Sequence, residues 1–523
     1  MSVSAADRPG VLEGQTLERD VSVDADMCII GSGAGGSVAA ARLAQSGLRV
    51  VVLEEGGYFT SERFTMKEED CYPNLYQEAA QRATADLSVS IFQGRAVGGT
   101  TVVNWTTCFR TPESTLERWR LHHAVSGLER ATLDPHWEAV EERLSIQQIP
   151  IEKVNRNNRL LWDGCEAMGW SKDTLHRNVI GCALTGYCGM GCPVDLKQSM
   201  LITYLPDAMT AGATVISRCR VERLEHDGRH ITSVKARCLD AFGLSETGPS
   251  VTVRARRYVL SAGAINTPAL MIRSGLPDPH DRAGKRTFLH PVIASGAEYE
   301  EPVEGYYGAP QGVASHHFAD RGDGVGYFLE AAPVYPLLIA TGFPGFGLAH
   351  REIMLRLPNF AAHLAIAIDG HQDGEEGGEV RVLESGRPKL HYTPSPKTYA
   401  AFREAQKNLA RLQLATGAKR VLSSHVKPLE VRSERDLKLL DDAPYAPNQV
   451  AVFSAHQMGG SAMSDDPKLG VVRPHDLRHH QVENLHVVDG SVFPTSCGVN
   501  PQLSIYGLAH LVSGRLAGPA PAV

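Results

Sequence analysis

The sequence predicts a mixed α/β fold in two closely packed, interleaved domains, one of them Rossmann-like. Three observations carry this. The 523 residues, 43% of them apolar, can bury a large core and exceed the usual size of one compact domain. The N-terminal part reads as strand, glycine turn, helix, strand. The middle, from about 291 to 440, changes texture to aromatic and proline clusters followed by one long amphipathic helix.

The first element, "ADMCIIGSGAGGSVAAARLAQSGLRVVVLEEGG", supplies an apolar strand, a glycine turn, an alanine-rich helix and a second apolar strand ending in acid. This is a βαβ unit. Gly31, Gly33 and Gly36 form G-x-G-x-x-G: the first allows the tight turn, the second lets backbone approach a pyrophosphate, and the third lets helix pack on strand. Phosphates placed at the helix N-terminus meet free N–H groups and the favourable end of the dipole. Glu54, 23 residues after Gly31, ends the second strand, where a carboxylate binds the ribose hydroxyls of an adenosine. Glu55 is one step further along and expected on the other face.

The βαβ unit alone does not separate NAD from FAD. The next glycine cluster, "GRAVGGTTVVN" at 94–104, separates them. Gly98 and its neighbour allow close backbone approach, while Thr100 and Asn104 offer polar contacts to a flat heterocycle or its phosphates. Two β-rich stretches follow, "ATVISRCRVERLEHDG" and "VTVRARRYVLSAGAINTPALMIRSG". Val221 in the first is assigned to the cofactor site. The second ends a strand in a small-residue turn and starts a helix, with Asn266-Thr267-Pro268 at its beginning. Such a return toward the nucleotide is expected of flavin-binding folds.

Beyond these come "EGYYGAPQGVASHHF" and "PVYPLLIATGFPGFG", then the helix "SPKTYAAFREAQKNLARLQLATG". This segment is the expected substrate domain. The aromatic and aliphatic content of 301–350 predicts an apolar pocket. The expected division places 20–110, 200–290 and 445–523 in an FAD-binding domain, and 111–199 and 291–444 in the substrate-binding domain and lid.

A net charge of −7 and the lack of a basic block with interleaved aromatics argue against nucleic acid as a partner. The N-terminus has no positive region leading into an apolar stretch and no twin arginine, and no run reaches about 18 apolar residues. A cytoplasmic chain without a transmembrane segment is the expectation, and most of its ten cysteines are scattered singly, as in reduced proteins.

Four blocks in order, "GSGAGG…VVLEEGG", "GRAVGGTTVVN", "GAINTPALMIRSGLP" and "SAHQMGGSAM…NLHVVDGSVFPTSCGVNPQLSIYGLAH", resemble the glucose-methanol-choline (GMC) oxidoreductase family from about residue 24 to 517. Cys108 and Pro277 depart from its usual signatures. The resemblance implies a Rossmann-like FAD-binding domain and a discontinuous substrate-binding domain built on an antiparallel sheet and helices. It implies FAD as cofactor, and alcohol oxidation by hydride transfer to flavin N5, with oxygen or another acceptor taking the electrons.

"AHQMGG" and "GVNPQLSIYG" look most like the long-chain alcohol oxidase and cholesterol oxidase branches, which pair a histidine with an asparagine. By that likeness His456 is the catalytic histidine and Asn500 its partner. His456 accepts or shares the hydroxyl proton at a near-neutral pKa, and Asn500 donates to the oxygen as it gains charge. Pro501 suits the first helical position, so that the following helix presents its positive end to the flavin. Asp489 and Gly490 resemble the family's contact to FAD near the pyrophosphate and ribityl chain. "GGTTVVN" lacks the histidine through which some members attach FAD, so non-covalent FAD is expected. His290, His363, His316 and His317 are read as structural or pocket-lining. The favoured substrate is a hydrophobic alcohol, aliphatic, aromatic or sterol-like. A cyanohydrin-type lyase and an iron–sulfur-carrying dehydrogenase stay open as alternatives.

Cys182, Cys188 and Cys192 form C-x5-C-x3-C on a glycine-rich loop closed by Pro193. Three thiolates so placed suit an iron–sulfur cluster or a metal ion. Plain thiols or one disulfide are the preferred reading, and no metal site is assigned.

Overall fold

The computed structural model describes residues 10–342 and 345–518, together with the backbone of 2–4. Among the described residues nine strands form the first sheet. Seven run in the order Cys219–His226, Ile231–Leu239, Glu246–Leu260, Val21–Ile30, Val50–Leu53, Thr214–Ser217, Gly10–Glu13, with Ser2–Ser4 and Leu485–Val487 pairing off this path. From Glu246–Leu260 to Gly10–Glu13 neighbours are parallel, and the first three strands form an antiparallel meander.

The predicted βαβ unit is Val21–Ile30, the helix Ala34–Gln45 and Val50–Leu53. All four residues of Val50–Leu53 are buried, as a parallel strand covered on both faces requires. The helix packs on Tyr204–Thr210 and on the last helix, Gln502–Leu516.

The strand Glu246–Leu260 lies beside Val21–Ile30 and feeds the helix Gly263–Ser274. This helix starts three residues before the Asn-Thr-Pro group expected to begin it. Its start is held from outside and from within: Asp489 Oδ2 accepts the Gly263 N–H at 2.9 Å, and Thr267 Oγ1, in the helix itself, accepts the Ala262 N–H at 3.0 Å. Pro268 is therefore inside the helix.

The second sheet also has nine strands among the described residues, built around Phe360–Ala367, which pairs antiparallel with Val292–Glu298 on one side and Tyr327–Ala331 on the other. Val89–Ile91 and Val452–Ser454, which the sequence division places in the first domain's segments, hydrogen-bond into this second sheet. On one face Ile293, Leu329 and Ala365 pack under the helices Arg156–Ala167 and Pro396–Ala415 through Leu161, Phe402 and Leu409. Pro396–Ala415 is the amphipathic helix expected there, its start capped by Ser395 Oγ accepting the Thr398 N–H. The other face, carrying Val292, Ala294, Leu364 and Ile366, lines a cavity. No helix among the described residues is long and apolar enough to cross a membrane.

Candidate active site

The cavity, of about 1370 Å³, is lined by Ile30, Leu53 and Ser261 at the carboxyl ends of the parallel strands and by the open face of the antiparallel sheet. Ligands of open parallel sheets bind at that end. Of the residues singled out from the sequence, Gly31, Gly33, Glu54, Thr100, Asn104, Val221, His456, Asp489, Gly490, Asn500 and Pro501 all line it.

Gly36 and Gly98 stand behind the wall. A Cβ at Gly36 would lie 2.0 Å from the Gly31 carbonyl oxygen, so helix and strand meet there as the third glycine predicts. Gly31 has φ +100°, and a Cβ on it would lie 2.2 Å from the Ser261 oxygen, which excludes any other residue. The two glycine segments touch: a Cβ at Gly99 would meet the Gly33 Cα at 2.6 Å.

Glu54 is buried, and its carboxylate is already engaged. Oε2 accepts the Ser32 N–H at 2.9 Å and the Ser32 hydroxyl at 2.7 Å; Oε1 accepts the Gly56 N–H at 2.8 Å. Ser32 Oγ in turn accepts the Gly98 N–H at 3.0 Å, so one chain of bonds links both glycine segments to Glu54. Burial pushes the Glu54 carboxyl up, and three donors aimed at it favour the charged form. Glu55 lines the cavity too, 4.0 Å from Arg95 Nη1, against the expectation that it turns away. The strand ends at Leu53, so strand alternation does not extend to these two residues.

Thr100 Oγ1 accepts the Gly94 N–H at 3.0 Å. Asn104 donates to Gln502 Oε1 at 2.6 Å, and its own Oδ1 is buried without a partner among the described residues. Asp489 holds the adjoining loops, accepting from Gly263, from the Thr267 hydroxyl at 2.6 Å and from the Ser491 N–H at 2.8 Å. Burial pushes its carboxyl up against those donors. Pro501 caps the helix Gln502–Leu516 at φ −81°, one position before the first helical residue expected for it.

On the sheet side, His456 Nε2 and Asn500 Nδ2 are 3.4 Å apart. The predicted pair is thus brought together across 44 residues of sequence. Burial pushes the His456 imidazole down to about 4, in place of the near-neutral value expected from its residue type, so the ring is uncharged with a lone pair at neutral pH.

Nothing in the sequence reading singles out Glu330, beside this pair, or Gln311, bonded to Glu330. Glu330, on the strand Tyr327–Ala331, is fully buried and lines the cavity; its Oε2 accepts from Asn500 Nδ2 at 3.4 Å and from Gln311 Nε2. Burial holds its carboxyl up to about 8, so it is protonated at neutral pH. Gln311 accepts the Thr107 hydroxyl at 2.6 Å, extending the network into the chain after Asn104. A lone acid in the run "GYFLEAA" is the signal that could have found Glu330, because an unpaired buried carboxylate is costly.

His290, expected to be structural or pocket-lining, has its Nδ1 3.3 Å from His456 Nδ1. His363 is buried beneath the sheet with Nε2 3.0 Å from the Asn157 carbonyl oxygen, and His316 stacks on Phe328. Of the aromatic-rich segment, Tyr335, Leu338 and Ile339 line the cavity, whereas Tyr307 is exposed.

The cysteine loop backs onto the site. Buried Lys197 donates to the Cys188 carbonyl oxygen at 2.7 Å and to that of Asn104 at 3.1 Å. Cys182 and Cys188 lie 3.9 and 3.8 Å from the guanidinium of Arg177. All ten cysteines are free, and among the described residues no group of three metal-ligating side chains is placed to hold a metal ion.

Known proteins are similar to this chain in sequence and in fold. Residues 72–292 and 375–509 match the family models described as GMC oxidoreductase, and 29–96 match an NAD(P)-binding Rossmann-like domain. A GMC-type oxidoreductase of Mycobacterium tuberculosis is 35% identical over 494 residues, covering 94% of this chain and 75% of that one. A long-chain-alcohol oxidase of Arabidopsis thaliana is 29% identical over 513 residues, covering 94% and 67%. Among solved structures, a pyridoxine 4-oxidase superposes with a TM-score of 0.70 at 18% identity, over 94% of this chain and 98% of that one, a likeness of fold. The chain belongs to the GMC oxidoreductase family, whose members are flavoprotein oxidoreductases.

Proposed function

We propose that the protein oxidises the CH–OH group of an apolar alcohol to the carbonyl, using non-covalently held FAD. The observation that carries this reading is the His456–Asn500 pair, 3.4 Å apart on the wall of a cavity that the glycine segments also line.

The residues present fit a flavin dinucleotide. Gly31, Gly33 and Gly490 leave backbone bare on the cavity wall. Glu54 Oε1, with one bond from Gly56, retains a lone pair for a ribose hydroxyl, and the buried Asn104 Oδ1 awaits a donor. Thr100, Val221 and Asp489 complete this wall, and Pro501 sets a helix N-terminus against it, where the dipole favours negative charge. Bound FAD supplies the two-electron acceptor.

His456, neutral and with its lone pair on Nε2, takes the proton from the alcohol hydroxyl. Asn500 Nδ2 donates to the same oxygen as it gains negative charge. Glu330, protonated, adds no charge to a site where a buried carboxylate would oppose that development. Val292, Ala294, Leu364, Ile366, Leu338 and Ile339 give the cavity its apolar lining, which suits a hydrocarbon chain and offers little to a sugar. The long-chain-alcohol oxidases among the relatives support this substrate class.

Anaerobic mixing of the purified yellow protein with straight-chain primary alcohols of graded length tests the reading. Loss of the oxidised-flavin absorbance, with aldehyde formed in equal amount, is expected. A flavin that stays oxidised across the series contradicts it, and cleavage of a cyanohydrin without bleaching would favour a lyase instead.

A further inference from the structure

We propose that His290 is a positioning residue that holds His456 in the tautomer with its proton on Nδ1, leaving Nε2 as the acceptor for the substrate hydroxyl. The inference deepens the function proposed above and rests on it.

The geometry begins with the backbone of "FLHP". His290 has φ +46°, in the left-handed region that side chains rarely adopt, and it precedes a proline, which restricts it further. The buried carboxylate of Asp369 holds this conformation, accepting the Leu289 N–H at 2.9 Å, the His290 N–H at 3.0 Å and the Tyr392 hydroxyl at 2.9 Å. Strain kept in place this way collects at functional sites. Its effect here is to bring the imidazole edge of His290 against His456, ring centroids 5.4 Å apart at 77°, with Phe328 packed edge-on behind. A second tie joins the same two segments: the Ser454 hydroxyl donates to the Leu289 carbonyl and accepts the His456 N–H at 3.0 Å.

The proton positions follow from the donors. Asn500 Nδ2 has two hydrogens, and two acceptors stand near it, Glu330 Oε2 and His456 Nε2, each at 3.4 Å. An amide N–H aimed at Nε2 requires a lone pair there. The His456 proton is then on Nδ1, and its neighbour at 3.3 Å is His290 Nδ1, which must accept. That assignment places the His290 proton on Nε2, the buried ring nitrogen without a hydrogen-bond partner among the described residues. An unsatisfied buried polar group in a native fold calls for a reason, and the tautomer imposed on His456 is that reason. When His456 takes the substrate proton, its Nδ1–H stays bonded to His290 and the ring keeps its aim.

The direct test is nitrogen-15 spectroscopy of the histidine-labelled holoenzyme at neutral pH, with ring signals assigned by loss in His456→Ala and His290→Asn. The expected spectrum has a bare, pyridine-type Nε2 on His456 and a bare Nδ1 on His290. A protonated Nε2 on neutral His456 in the wild-type spectrum overturns the proposal, the two variants serving only to assign the signals. Stopped-flow reduction of the flavin by alcohol gives a second readout. His290→Leu, which removes the acceptor, is expected to slow reduction about 10–100-fold, in keeping with loss of one positioning bond to a catalytic base, with little change in KM. His290→Asn keeps a side-chain acceptor, tolerates positive φ, and should recover most of the rate. Wild-type reduction in His290→Leu beside a crippled His456→Ala overturns the role of His290 and leaves the proposed function standing; wild-type reduction in both overturns the two together.

Discussion

Around Glu54 the hydrogen bonds close over short stretches of chain, to Gly56 two residues away and to Ser32 22 residues away, all within one βαβ unit. Around His456 they span the fold: His290 is 166 residues distant, and Asn500 reaches Glu330 across 170. Both clusters line one cavity, but they are assembled differently. The first is a local product of a strand, a turn and a helix. The second exists only after the antiparallel sheet has formed and brought Glu330, on one strand, beside the chain that carries Asn500. In the function proposed, the first cluster holds the cofactor and the second activates the substrate, and variants in each should fail in different ways.

The largest effect is expected from His456→Ala, which removes the proposed proton acceptor. Flavin reduction by alcohol should fall on the order of 10²–10⁴-fold, with FAD content unchanged after gel filtration. Loss of FAD instead would break the division between the clusters.

Glu330→Gln comes next and reads out as stability against pH. The folded-state carboxyl is raised to about 8, above an unfolded value of about 4.3. The folded protein is therefore favoured most below the unfolded value and loses stability as pH rises toward 8, where the unfolded glutamate ionises and the buried one does not. The glutamine variant lacks that slope. Denaturant melts at about pH 5 and pH 8.5 should show it gaining roughly 3–5 kcal/mol on wild type over the interval. Parallel curves would mean that Glu330 is ionised in the fold.

Glu54→Gln should weaken FAD retention by about 10–100-fold through loss of charge-assisted hydrogen bonds, measured by fluorimetric titration of the apoprotein. The rate of flavin reduction at saturating FAD should stay near wild type, which sharpens the contrast with His456. The smallest effect is expected from Cys182→Ser, within about twofold in both FAD affinity and reduction rate, since that thiol lies 3.9 Å from Arg177 and lines no part of the cavity.

The same contrast explains what could be read in advance. Gly31, Gly36 and Glu54 declare themselves because spacing within one βαβ unit fixes their geometry, and the amphipathic helix Pro396–Ala415 because its period and its Ser395 cap are local. The His456–Asn500 pair came from the likeness of two short segments to a family, not from spacing. Glu330 stands out in "GYFLEAA" only as a lone acid in an apolar run, which marks it as costly to bury but does not give the neighbour it will meet. The sequence supports only a structural or pocket-lining reading of His290, because its positive φ and the Asp369 contact turn its ring toward His456, and neither is written in "FLHP". Glu55 shows the converse error, a strand rule carried past the strand's end.

In the function proposed, His456 and Asn500 act on one substrate oxygen. Stopped-flow flavin reduction in His456→Ala, Asn500→Ala and the double variant tests it most directly. A loss of roughly 10²–10³ is expected for Asn500→Ala, as for an oxyanion donor, a larger loss for His456→Ala, and a double loss clearly smaller than the product of the two. Losses that multiply in full, or a single variant that reduces its flavin at the wild-type rate while retaining FAD, would contradict it.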